Sequence, residues 1–234
     1  MQFAAILAGG SGVRMGNPNK PKQFFFLGDK PILVHTLEKF CASGCFDAVL
    51  VLTPATWVQQ TKDIIARHCP QYVDAVSVIA GGAERNDTIM NAIRYFEEQY
   101  QVDDGAIIVT HDAVRPFVSL RIIEENIASA LAHGACDTVV PATDTIVESL
   151  DGEAISAIPN RSALYQGQTP QSFRMQTLKE VLLSLAPEEK AILTDACKAY
   201  VLRGKTVALV RGDVENMKIT YPQDLRIAEA LLEA

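Results

Sequence analysis

The sequence has no excess of basic residues. It carries 21 Lys and Arg against 28 Asp and Glu, a net charge of −7. That balance argues against a dedicated nucleic-acid binder, which presents a basic surface. It leaves room for a local basic pocket, because net charge does not describe pockets. Long apolar runs are absent too. The amino-terminal run reaches only from Phe3 to Ala8, with no basic residue before it. Such a run is too short for a signal-peptide core or a membrane span. A soluble cytoplasmic protein without a membrane partner is expected. Cysteine is sparse: Cys41, Cys45, Cys69, Cys136 and Cys197 are odd in number and scattered. This reads as reduced thiols, and no second close pair joins Cys41 and Cys45 to complete a zinc site. Repeats, low-complexity tracts and linkers are missing as well.

What is present is an ordinary globular composition, 48% hydrophobic and 21% charged over 234 residues. It excludes wholesale disorder and suits one α/β domain. Short apolar runs at 3–8, 48–53, 76–80, 105–110 and 136–142 alternate with helical patterns at 31–42, 56–69, 87–100 and 119–133. The alternation predicts a Rossmann-like, mostly parallel sheet with helices on both faces. After Pro141 the pattern changes. Segments 145–150 and 153–158 alternate around Asp151-Gly152 and predict a β-hairpin arm, placed at about 143–170. Helices are expected at 175–185, 188–203 and 222–232, and strands at 206–210 and 217–220.

Chemistry concentrates where strands end. Leu7-Ala8-Gly9-Gly10-Ser11-Gly12-Val13-Arg14-Met15 puts a glycine-rich loop directly after the first strand. Such a loop offers backbone N–H groups to an anion. It is not a P-loop, for it lacks Gly-Lys-Ser/Thr, and Met15 stands where a dinucleotide fingerprint needs its third glycine. Thr53-Pro54, in place of an acidic residue ending the second strand, also counts against a nicotinamide-dependent reductase. Lys22 follows in Pro21-Lys22-Gln23-Phe24. Gly81, Gly82, Ala83, Glu84, Arg85, Asn86, Asp87 and Thr88 follow a later strand. Glycines there let backbone approach a base or ribose. In His111-Asp112-Ala113-Val114-Arg115-Pro116, Asp112 is placed to hold Mg²⁺ against phosphate oxygens. Arg115 can balance its charge, and His111 reads as a structural hydrogen-bonder. Two later cations stand out: Arg161, just past the expected hairpin, and Lys218, in Asn216-Met217-Lys218-Ile219-Thr220.

Together these motifs resemble the nucleotidyltransferases of sugar and polyol phosphates. Gly-Gly-Ala-Glu-Arg-Asn, His-Asp-Ala-Val-Arg-Pro, Gln-Thr-Pro-Gln-Ser-Phe and Asn-Met-Lys-Ile-Thr narrow the likeness to the cytidylyltransferases of methylerythritol phosphate and ribitol 5-phosphate. Tyr165 and the run Thr194-Asp195-Ala196 are more similar to the ribitol-phosphate branch. Ala83 departs from the acidic residue common in the methylerythritol branch. The resemblance covers nearly the whole chain and implies one nucleotidyltransferase domain over 1–234. It implies that Leu7, Ala8, Gly9 and Gly10 contact CTP, and that Gly81 to Thr88 recognise cytosine and ribose. Arg14 and Lys22 would offset charge at the α-phosphate, and Asp112 would hold Mg²⁺. Arg161 and Lys218 would grip the polyol phosphate. It further implies a homodimer whose arm reaches the neighbouring site. The expected products are CDP-ribitol and pyrophosphate, for teichoic acid or capsule synthesis. The alternative is the same reaction on 2-C-methyl-D-erythritol 4-phosphate.

Overall fold

The structure is a computed structural model. It describes every residue except Ser11, Val13, Arg14, 16–19, Thr194 and Ala234. Four strands give the parallel half of the sheet: β1 (Gln2–Leu7), β4 (Ala48–Thr53), β5 (Val76–Ala80) and β6 (Ile107–Asp112). A short antiparallel pair, β2 (Phe26–Leu27) and β3 (Lys30–Pro31), lies between β1 and the first helix. The helices α1 (Ile32–Ala42), α2 (Val58–His68), α3 (Arg85–Gln99) and α4 (Leu120–His133) connect or follow the parallel strands. The later chain adds β7 (Ala135–Pro141), β8 (Tyr165–Arg174) and β9 (Ala208–Arg211). It also adds α5 (Met175–Leu183), α6 (Pro187–Ala191), α7 (Ala196–Leu202) and α8 (Pro222–Glu233). The seven strands order as β5-β4-β1-β6-β8-β7-β9. Strand β8 runs antiparallel to both neighbours, and β9 returns parallel to β7.

The apolar run of β1 follows from burial on two faces. Phe3, Ala5 and Leu7 join the core formed with α3, α5 and α7. Ala4, Ile6 and Ala8 join the core formed with α1, α2 and α4. Successive side chains of a strand point to opposite faces, so a sheet covered twice needs apolar residues at both parities. Phe3 anchors the first layer, stacking on Phe96 of α3 with ring centroids 4.4 Å apart. The predicted sheet with helices on both faces is therefore present.

Several details differ from expectation. Segment 165–170, placed in the arm, is part of sheet strand β8, which pairs with both β6 and β7. The expected hairpin at 145–158 consists of one antiparallel bridge, Glu148 to Ala157. Segment 217–220 is not a strand. The helix expected at 188–203 is two helices, and Asp195 accepts from Lys198 N at 2.9 Å to cap the second.

Candidate active site

Chain direction through the sheet locates the site. From β1 the chain moves outward to β4 and β5, then crosses back so that β6 lies on the other side of β1. Ligands of open α/β sheets bind beyond the strand ends where the order reverses. Here Leu7 stands in register with Asp112. Ala113 N donates to Leu7 O at 3.0 Å, and Ala8 N donates to Leu52 O at 2.7 Å. Above this seam lies a cavity of about 360 Å³. Its walls come from the loop after β1, the turn into α3, the end of β6, Lys22 and the segment holding Lys218.

Glycine is required at two points. Gly12 has φ +73°, and a Cβ there would lie 2.8 Å from Lys22 N. A Cβ on Gly82 would overlap Asp87 Cβ, so the turn packs directly on the first turn of α3. Gly82 N donates to Thr88 Oγ1 at 2.9 Å, and Glu84 N donates to Asp87 Oδ2 at 3.1 Å. These bonds hold the start of α3 against the cavity.

Asp112 is the electrostatic centre. Arg85 Nη1 lies 2.6 Å from Oδ1, Lys218 Nζ 2.9 Å from Oδ2, and Arg115 Nε 3.4 Å from Oδ2. Burial pushes this carboxyl up, but Arg85, Lys218 and Arg115 outweigh it and hold it well below the usual carboxylate range. Asp112 is thus ionised, and three cations around one anion leave the wall attractive to phosphate. Arg115 is fixed by donating from Nη1 to Asn216 O at 2.8 Å. Lys22 Nζ donates to Ile219 O at 2.8 Å and faces the same cavity. His111 is fully buried. Burial lowers it to about 3, so the ring is neutral and bonds Arg115 O and Thr169 Oγ1. It is the structural hydrogen-bonder the sequence suggested.

Residues 3–234 match the family described as IspD: 2-C-methyl-D-erythritol 4-phosphate cytidylyltransferase. The chain belongs to this family. It is a cytidylyltransferase. A relative from Lactiplantibacillus plantarum, "Ribitol-5-phosphate cytidylyltransferase", is 52% identical over 233 residues, covering 100% of this chain and 99% of that one. Among solved structures, the 2-C-methyl-D-erythritol 4-phosphate cytidylyltransferase from Thermus thermophilus is 27% identical with a TM-score of 0.75, covering 100% of both chains. That of Francisella tularensis is 25% identical with a TM-score of 0.81, covering 98% of each chain.

The cytidylyltransferase fold gathers most of the residues singled out from sequence. Leu7, Ala8, Gly9, Gly10, Lys22, Gly82, Ala83, Glu84, Arg85, Thr88, Asp112 and Lys218 all line the cavity. Gly81, Asn86 and Asp87 do not. Gly81 N extends the ladder to Thr53 O, and Asp87 serves the start of α3. Arg161 is not in the cavity wall either; its Nη1 donates to Thr143 O at 2.9 Å on an exposed turn. Arg14 lies outside the described residues. The sequence reading missed Gln23, Val114 and Thr220, which also line the cavity. Gln23 is buried and donates from Nε2 to Ala8 O, pinning the start of the glycine-rich loop. Its adjacency to Lys22 was the available signal.

Proposed function

We propose that the protein transfers CMP from CTP to D-ribitol 5-phosphate, giving CDP-ribitol and pyrophosphate, with Mg²⁺ as cofactor. The carrying observation is the 52% identity to the Lactiplantibacillus plantarum protein named for that reaction. It stands against 25% and 27% for the two methylerythritol-named structures. On this reading the enzyme works in the cytoplasm as one nucleotidyltransferase domain, forms a homodimer, and supplies teichoic acid or capsule synthesis.

The donor set suits magnesium. Among the described residues no group of three or more His, Cys, Asp or Glu is placed to hold a metal. A magnesium ion in phosphate chemistry needs only one or two carboxylates, the remaining ligands being phosphate oxygens and water. Asp112, ionised and in the cavity wall, provides one carboxylate. When bound there, the ion would neutralise charge on the triphosphate.

In the reaction a phosphate oxygen of ribitol 5-phosphate forms a bond to the α-phosphorus of CTP. The bond from that phosphorus to the pyrophosphate oxygen breaks. Both partners are anions, so the protein must offset repulsion and hold them in line. The backbone of Ala8 to Gly10 cradles the triphosphate. The turn at Gly82 to Thr88 meets the cytidine. Lys22, with Arg14, meets charge at the α-phosphate. Lys218, with Arg161 reaching across a homodimer contact, orients the polyol phosphate. None of these groups has to act as a strong base, which agrees with a neutral, buried His111.

The family description favours a second reading, the same transfer to 2-C-methyl-D-erythritol 4-phosphate. Pyrophosphate release from CTP and Mg²⁺ with each acceptor at equal concentration separates the two. Preference for ribitol 5-phosphate is expected, and Lys22→Gln should lower its rate by about 10²–10³. Preference for the methylerythritol acceptor overturns the first reading. Release with neither overturns both.

A further inference from the structure

Asp112 is crowded for a metal ligand. Oδ1 is taken by Arg85 at 2.6 Å, while Oδ2 is shared by Lys218 at 2.9 Å and Arg115 at 3.4 Å. A hard divalent ion needs a carboxylate oxygen directly. One of these cations has to give way first, and the surroundings decide which.

Arg115 is held at both ends. Its side chain is 9% exposed, and its guanidinium also donates to Asn216 O at 2.8 Å. Arg85 is half-buried at the start of α3, its side chain 26% exposed, and its Nε is buried without a partner among the described residues. Taking Asp112 from it would leave a half-buried guanidinium, whose Nε already lacks a partner, without its carboxylate, which is costly. Lys218 differs. Its side chain is 40% exposed, on a flexible four-carbon stem that rotates readily. Its ammonium is the most solvated of the three cations, so it gives up the buried carboxylate at the least cost.

The backbone around Lys218 is fixed. Asn216 Nδ2 donates to Thr169 O at 2.9 Å and to Gln168 Oε1 at 3.1 Å. Ile219 is fully buried, its N–H donates to Val114 O at 3.0 Å, and its carbonyl accepts from Lys22 at 2.8 Å. The Lys218 side chain therefore extends from fixed backbone into the wall of the cavity.

We propose that Lys218 is a phosphate-released cover on Asp112. In this arrangement its ammonium occupies Oδ2. When a substrate phosphate arrives, the ammonium transfers to that phosphate and uncovers the carboxylate for the divalent ion. This rests on the reading of Asp112 as the magnesium ligand. Phosphate and metal binding are then positively coupled through one side chain, and such coupling is reciprocal. The nucleotide-free protein holds the metal weakly, and the full site assembles only with substrate present.

The test uses Mn²⁺ as the probe, with the free ion counted by electron paramagnetic resonance in the absence of nucleotide. Lys218→Gln should tighten Mn²⁺ binding by about fivefold or more over the wild type, the lower end of typical site coupling. The gain should vanish in Lys218→Gln combined with Asp112→Asn, measured against Asp112→Asn alone. Unchanged affinity in Lys218→Gln overturns the proposal. An equal gain in the Asp112→Asn background also overturns it, since that is a general charge effect. Failure of the underlying reading is seen separately. If Asp112→Asn keeps full Mg²⁺-dependent pyrophosphate release, Asp112 is not the ligand. If it loses that release while Lys218→Gln binds Mn²⁺ like the wild type, only the cover is wrong.

Discussion

Asp112 and Asp137 lie on strands either side of β8, and their surroundings drive them in opposite directions. Burial raises both, but Asp112 has three cations at hand and stays ionised. Asp137 has a neutral amide, Gln171 Nε2 at 3.0 Å, which also donates to Asp195 Oδ2 at 3.2 Å. Burial, aided by the nearby Asp195 charge and opposed by Gln171, Arg85 and Arg115, pushes Asp137 up to about 6. The consequence for stability has a definite sign. A carboxyl with a raised folded pKa binds its proton more tightly when folded. Its contribution is fully present below the unfolded value of 3.8 and is lost as pH rises through about 6. Asp112 has the reverse sign, losing its contribution as pH falls below the usual range. Asp137→Asn keeps an acceptor for Gln171 and removes the titration. Its melting temperature should gain on the wild type as pH rises from 4 to 7, by about 2 kcal/mol in stability at the upper end. Thermal unfolding across that range checks this, and a pH-independent difference would refute it. Asp112 was legible in sequence because it ends an apolar run. Asp137 was not, because it sits inside one and its environment comes from Gln171 and Asp195, far away in the chain.

Among the elements, α3 and β8 show why some of the site could be read and some could not. The turn into α3 announces itself as two glycines before a polar helix start. Gly82 is the critical one, since Asp87 and Thr88 backbone atoms occupy the space of a side chain there. Gly82→Ala should cost about 1–3 kcal/mol through overpacking and raise the KM for CTP by displacing Arg85 and Thr88. Urea unfolding together with CTP kinetics measures both effects. Strand β8 carried a family motif, Gln168 to Phe173, but no comparable signal that it is a strand. Gln168, Thr169, Gln171 and Ser172 are buried, yet polar. They are tolerated inside because Thr169 bonds His111 and Asp112 N, Gln171 bonds two aspartates, and Ser172 bonds Asn126. Alternation of apolar and polar residues cannot reveal a strand whose buried face is hydrogen-bonded. The same limit produced the misplaced end of the arm. Segment 217–220 failed in the opposite way. It looks like a strand, but the chain there is held at Asn216 and Ile219 by side-chain and isolated backbone bonds rather than by a ladder, so it is a bracket for Lys218.

For the molecule as a whole, the placement of Arg161 is the most informative detail. It is away from the cavity of its own chain, on the segment that carries the exposed Leu150, Ile155 and Ile158. In a homodimer that shares sites, one functional site forms when a Lys22→Gln subunit pairs with an Arg161→Gln subunit. Each variant alone should be nearly inactive, and an equal mixture should recover about a quarter of wild-type turnover. No recovery after mixing and exchange would place Arg161 outside the partner's site. The strand order carries a separate consequence, for synthesis on the ribosome. Strand β6 gains its second neighbour only from β8, which lies beyond β7 and the whole exposed segment. The nascent chain therefore presents an open, apolar strand edge until roughly sixty more residues have emerged, a delay of roughly 3–12 s at ordinary elongation rates. Over that interval the edge that ends in Asp112 is a template for wrong pairing, so the growing protein is most vulnerable to aggregation just before the walls of the cavity can come together.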